Sequence, residues 1–183
     1  MPATASHPSR PPGDREPTAE VRRRTPPQAL VDAINPLLRW LAASRFHRPL
    51  DGSLVVLHVW GRRTGRHYDI PVGYVRLGDR LLVTTQHRWR TNLRGRQSLD
   101  ATVSGVRRTV RLRLDEDPVS IARTYEAVIE RYGWRDAGRR LGLTTTSGEV
   151  PSQGQLEAAA GAYRLAILDL SAPAGEPALA TGI

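Results

Sequence analysis

Apolar residues recur along the chain in two rhythms, helical near its beginning and alternating through its middle. Leu30, Val31, Ile34, Leu37, Leu38 and Leu41 fall at helical spacing, which predicts an N-terminal amphipathic helix over Pro27 to Arg45. Pro36 interrupts the pattern and predicts a kink or a second start. His47-Arg48-Pro49 closes it. Packing against the core is the simpler use of that apolar face, and lying on a membrane surface is the alternative.

From Ser53 the rhythm changes. Ser53 to Trp60 is apolar on both faces, as in a central barrel strand. His67 to Arg76 and Arg80 to Gln86 flank Leu77-Gly78-Asp79, a hairpin signal. Asp100 to Ser104 and Arg107 to Leu114 flank a second hairpin at Gly105-Val106. In that last strand Arg107, Thr109, Arg111 and Arg113 face one way and Val110, Leu112 and Leu114 the other, a solvated face over an apolar one. Asp115-Glu116-Asp117-Pro118 reads as a helix start. The helix runs to about Tyr132, and a shorter one spans Trp134 to Leu141. Thr144 to Ser152 reads as loop, and Tyr163 to Leu170 alternates as a final strand.

This order predicts a mainly β fold with helical additions: about six antiparallel strands in a small barrel, an N-terminal helix, and helices before the last strand. No helical pattern separates the strands between Leu54 and Leu114, which disfavours a parallel doubly wound sheet.

Composition bounds the rest. A chain of 183 residues suits one domain, placed at residues 28–170. Residues 1–27 hold seven of the fourteen prolines and read as a disordered leader; residues 171–183 are rich in Ala, Pro and Gly and read as a flexible tail. Cysteine is absent, which excludes disulfides, thiol nucleophiles and Cys-ligated metals. The apolar runs are too short for a transmembrane segment and the start lacks a secretory h-region, so a cytoplasmic protein, or one peripheral to a membrane, is expected.

Net charge is +9, and all 27 basic residues are arginine. Between Arg62 and Arg113 thirteen arginines stand against three acids, Asp69, Asp79 and Asp100. Such a surface attracts anions: phosphate, carboxylate, nucleic acid or an acidic membrane.

Little in the chain suggests self-sufficient catalysis. His7, His47, His58, His67 and His87 fall in no metal-ligand spacing, so no metal is expected, and His58 reads as a satisfied core histidine. There is no G-x-S-x-G elbow. An enzyme built from this chain would borrow its reactivity from a cofactor.

Two segments could hold one. Gly61-Arg62-Arg63-Thr64-Gly65-Arg66 lies between two strands. Its glycines allow successive backbone N–H groups to face one anion, and its arginines add bidentate donors. An exposed basic turn is the plainer reading. A Walker loop is excluded by the missing lysine. In His87-Arg88-Trp89-Arg90-Thr91-Asn92-Leu93-Arg94, Trp89 and Leu93 sit four apart and would pack one helical turn on the barrel end. Arg88, Arg90 and Asn92 are then left available to an acidic ligand, or simply to solvent.

These two segments, with Asp69-Ile70-Pro71-Val72-Gly73-Tyr74 between them and the Gly-Asp hairpin and W-x-x-N-L following in order, resemble the deazaflavin-dependent nitroreductase family over about Asn35 to Leu114. The resemblance implies a split β-barrel of the FMN-binding type and a site for coenzyme F420, a deazaflavin with an acidic phosphate and glutamyl tail. It implies that Arg62, Arg63, Thr64, Gly65 and Arg66 hold the acidic part. Pro71, Val72 and Gly73 would line the ring, with Trp89 and Asn92 near the cofactor. The implied activity is hydride transfer from the reduced cofactor to a small-molecule acceptor such as a nitro compound, quinone or enone. Tyr74, Tyr125 and Tyr132 are candidates to cover the substrate, or packing tyrosines. Two features depart from the family pattern: only His87 and Arg88 separate the third strand from Trp89, and Gly95-Arg96-Gln97-Ser98 replaces the usual Asn-Pro turn.

Alternatives remain from other classes. FMN suits the same barrel, although one phosphate needs fewer arginines. A basic module could bind nucleic acid, but Trp60, Trp89 and Tyr74 are not interleaved with arginines as a stacking platform requires, so no nucleic acid is expected. A barrel that only stores a cofactor is a third reading. Exposed barrel faces would suit a homodimer.

Overall fold

The alternation in the middle of the chain becomes a sheet. The computed structural model describes residues 21–23 and 54–179, and the helix expected over Pro27 to Arg45 lies outside them. The strands are β1 (Val21–Arg23), β2 (Leu54–Trp60), β3 (His67–Gly73), β4 (Val75–Leu77), β5 (Arg80–Thr85), β6 (Ser98–Val103), β7 (Val106–Asp115), β8 (Leu143–Thr145) and β9 (Ala166–Ser171). The helices are α1 (Pro118–Tyr132), α2 (Trp134–Leu141) and α3 (Gln153–Ala162), with a 3-10 helix at Arg88–Leu93.

Seven strands form one antiparallel sheet in the order β3-β2-β6-β7-β9-β5-β4. β3 and β4 occupy its opposite edges, yet only Tyr74 joins them. One residue reaches only a few Å, so the sheet must curl until its edges meet there. The result is a mainly β protein, a curled half-barrel carrying a few helices. The strand expected over His67 to Arg76 is two strands because the chain turns this corner at Tyr74. The β6–β7 hairpin turns on Ser104 and Gly105, one residue earlier than expected, and both have positive φ (50° and 75°), as a two-residue primed turn requires.

Two apolar clusters hold the fold. Val55, Leu57 and Val59 of β2, Ala101 and Val103 of β6, Val110 of β7 and Leu168 and Leu170 of β9 fill the concave side. On the other side Leu82 and Ile167 pack with Ile121, Tyr125 and Val128 of α1 and Leu156 of α3. β5 and β9 serve both clusters, which is why Leu81, Leu82 and Val83 are buried in succession. α1 starts where the acidic stretch predicts, with Asp117 accepting from Ser120 N at 2.9 Å and Pro118 in the first turn. α3 starts on a reciprocal capping box between Ser152 and Gln155.

Both segments read as loose from composition contain ordered contacts. Val21–Arg23 pair antiparallel with Leu143–Thr145, and Val21 is buried against the helices. Leu143–Thr145 is therefore a strand, where loop was expected from Thr144. Leu179 is fully buried in the concave cluster, and its carbonyl accepts from Arg76 Nη2. In each case one apolar side chain finds a gap that the flanking Pro, Ala and Gly residues do not advertise. No helix among the described residues is long and apolar enough to cross a membrane.

Candidate functional site

The Gly61–Arg66 turn joins β2 to β3 and folds on itself. Gly61 N donates to Arg66 O and Gly65 N to Gly61 O, each at 2.8 Å, while Gly65 takes φ 63°. A Cβ on Gly61 would stand 2.9 Å from Thr64 Oγ1 and 3.2 Å from the Tyr68 ring, so the close turn requires glycine. The backbone does not form the expected anion nest with all its donors. Arg66 N is taken by Thr64 Oγ1 (3.3 Å) and Arg62 N by Asn92 Oδ1 (3.1 Å).

The side chains supply the positive charge instead. Arg62, Arg63, Thr64, Gly65 and Arg66 are all exposed. The guanidinium groups of Arg62 and Arg63 have no partner among the described residues, and Arg66 lies over the Tyr68 ring at 5.8 Å. Unpaired arginines raise the local potential without a carboxylate to cancel it.

The 3-10 helix at Arg88–Leu93 brings the second predicted segment to this turn. Leu93 is buried and Trp89 packs, partly buried, on the concave cluster, as their spacing predicts. This seats Asn92 where its Oδ1 reaches Arg62 N, thirty residues away in sequence. Arg88 is exposed without a partner among the described residues. Arg90, expected to be available, is not. Its Nε donates to Glu116 Oε1 at 2.9 Å and its Nη1 to His87 O at 3.3 Å. Arg94 Nε donates to Glu116 Oε2 at 2.8 Å. Glu116 thus clamps the helix to the start of α1. The Arg94 hydrogen bond, then that of Arg90, hold its carboxyl below its usual range against the opposing effect of burial.

Pro71, Val72 and Gly73 end the edge strand β3, where a proline costs no ladder bond. Pro71 and Val72 are half-buried, Val72 packs against the concave cluster, and Gly73 is exposed. The three candidate tyrosines all pack into the body of the protein. Tyr74 and Tyr125 are buried, and Tyr125 Oη lies 3.4 Å from Thr84 Oγ1. Tyr132 donates to Arg76 O at 2.5 Å, with Arg140 over its ring at 4.8 Å.

Two surface grooves lie elsewhere. One of about 610 Å³ includes Arg80, Arg111, Arg113 and Asp169 in its lining, and one of about 620 Å³ includes Trp134, Gly138 and Thr144. Neither is lined by a residue of the expected cofactor site.

Sequence reasoning passed over two sets of residues. Glu116 stands in a helix-start pattern that gives no sign of its role, because its partners lie 26 and 22 residues upstream. His58, His67 and Asp69, for which local spacing offers no ligand set, are gathered on one face by the β2–β3 pairing. His58 has both ring nitrogens satisfied as expected, but on the outer face of the sheet. Counting outward from the Gly61–Arg66 turn would have found this, since it sets Trp60 opposite His67 and His58 opposite Asp69. Compared with known protein families and with curated proteins, the chain matches none.

Proposed function

We propose that the chain is a split-barrel oxidoreductase that binds coenzyme F420 at the rim formed by Gly61–Arg66 and Arg88–Leu93. What carries the reading is the Arg62 N to Asn92 Oδ1 bond, which joins the two segments that the family resemblance rests on. Arg62, Arg63 and Arg88 fit the acidic tail of the cofactor, since an anion there would meet guanidinium groups that no carboxylate among the described residues engages. Val72 and Trp89, half-buried against the barrel cluster, offer apolar surface for the ring. When bound in its reduced form the cofactor would supply a hydride to an acceptor such as a nitro compound, quinone or enone. The residues of this chain bind and orient it and exclude water; none is assigned the role of acid.

Tryptophan quenching titrated with F420 and with FMN tests the reading. F420 is expected to quench and to bind more tightly than FMN, because it offers more anionic groups to the same arginines. Arg63→Ala is expected to weaken F420 by about 1.5–3 kcal/mol, roughly 10- to 150-fold. Equal affinity in that variant, or no quenching by F420 in the intact protein, would remove the rim from the account.

A further inference from the structure

Adjoining the Gly61–Arg66 turn, the outer face of the β2–β3 hairpin carries a second group of chemistry-bearing side chains. Antiparallel register sets His58 directly opposite Asp69, and alternation along β3 puts His67 on the same face as Asp69. His58 Nδ1 lies 2.6 Å from Asp69 Oδ1, and His67 Nε2 lies 3.6 Å from the same oxygen. One nitrogen from each ring and one carboxylate oxygen all fall within 4.8 Å of one another.

Two details go beyond proximity. His67 Nε2 is buried and has no hydrogen-bond partner among the described residues, which is costly for a ring nitrogen unless something else pairs with it. His58 Nε2 meets Thr102 Oγ1 at 2.9 Å, so its second nitrogen is held from β6. When that nitrogen carries the proton and donates to the threonine, Nδ1 is left as a lone pair aimed at Asp69, the outer bond that orients a ligating imidazole. The ring of His67 is further held between the Trp60 ring at 4.8 Å and the stacked His58 ring at 5.8 Å. A hydroxyl–imidazole–carboxylate relay of Thr102, His58 and Asp69 would use both bonds of His58 but leave His67 Nε2 unexplained.

We infer that His58, His67 and Asp69 form a binding site for a divalent transition-metal ion of the zinc class. The separations of 2.6 and 3.6 Å bracket those expected between atoms that share an ion at about 2.0–2.2 Å. The ion takes the place of the proton between His58 and Asp69 and pairs the orphaned nitrogen of His67. Two imidazoles with one carboxylate favour zinc, cobalt or nickel over calcium or magnesium, whose ligands are all oxygen. The Asp69 side chain is 50% exposed, so the fourth position faces solvent and is open to water or an anion.

The test uses the full chain without an affinity tag, stripped with chelator and titrated with Co²⁺ and then with competing Zn²⁺. The expected result is one Co²⁺ per chain, with the intense visible band of four-coordinate cobalt, displaced by Zn²⁺. His67→Ala and Asp69→Asn should each weaken binding at least 10-fold, and Thr102→Val by a smaller factor with the stoichiometry kept. His87→Ala should bind as the parent does. Should His67→Ala fail to fold, a rise in the melting temperature of the parent protein with Zn²⁺ but not Mg²⁺ carries the same information. The proposal is overturned by the absence of a cobalt band, by a band that survives in His58→Ala/His67→Ala, or by a melting temperature indifferent to Zn²⁺.

Discussion

Glu116→Gln isolates the charge of the carboxylate that holds the 3-10 helix in place, because the amide keeps an acceptor oxygen. Arg90, whose side chain is only 12% exposed, donates to Glu116 at 2.9 Å. Arg90 keeps its charge in the variant and its bond to the amide stays charge-assisted, so what is lost is the attraction between opposite charges, about 1–1.5 kcal/mol for a pair less exposed than an ordinary surface one. Glu116 itself is 29% exposed, and screening by solvent brings the expectation to about 1 kcal/mol. The bond to Arg94 has the larger effect on the Glu116 carboxyl, but it ends on a side chain 55% exposed, so screening by water reduces what it contributes to stability. For a protein of this size the melting temperature should fall by about 2–4 °C. The carboxyl sits below its ordinary value of 4.5 in the folded protein, chiefly through the Arg94 hydrogen bond. Its contribution is therefore complete above the unfolded-chain value and is lost as pH falls through the lower, folded value. Denaturant unfolding of the two proteins at pH 7, and then at steps below pH 4.5, should show a gap that closes with acid. Equal stabilities at pH 7, or a gap that acid leaves unchanged, would refute the clamp.

Other perturbations test other parts of the structure. Gly138→Ala puts a Cβ 2.9 Å from the Leu143 carbonyl oxygen, so α2 and β8 must part; thermal unfolding should show a loss of about 1–3 kcal/mol. Leu179→Ala empties a fully buried position and should cost about 2–4 kcal/mol in the same assay, whereas a solvated tail would leave stability unchanged. Gly61→Ala forces Thr64 and Tyr68 away from the turn and should weaken F420 binding by quenching titration more than it lowers the melting temperature. Asp100 is held below its usual carboxylate range by Thr109 first and then Arg107, so its two partners should lose their order by NMR only at a pH below that of a free aspartate.

How legible each part was in the amino-acid sequence follows from how local its cause is. Helix α1 and the two hairpins depend on neighbours a few residues apart, so Asp117-Pro118 and the Gly78 and Gly105 turns announced them. The exposed row of Arg107, Thr109, Arg111 and Arg113 was equally plain from alternation. The packing of Trp89 and Leu93 was readable for the same reason. What depends on strand order was not. Nothing local to β3 and β4 says that they form opposite edges, or that Tyr74 turns the corner between them. The pairing of Val21–Arg23 with β8, the burial of Leu179, and the capture of Arg90 by Glu116 all join residues distant in sequence. For the rim, the charge of Arg62 and Arg63 was visible, while its contact with Asn92 required the fold.

The central claim is that arginines at the barrel rim, unpaired among the described residues, grip the acidic tail of a deazaflavin. Its most direct test compares the affinity of the protein for F420 with that for the same deazaflavin core lacking the phosphate and glutamyl tail, at low and high salt. The account predicts at least 100-fold tighter binding of F420, shrinking with salt and largely abolished in Arg62→Ala/Arg63→Ala. Equal binding of the two molecules, or an advantage that survives loss of both arginines, would contradict it.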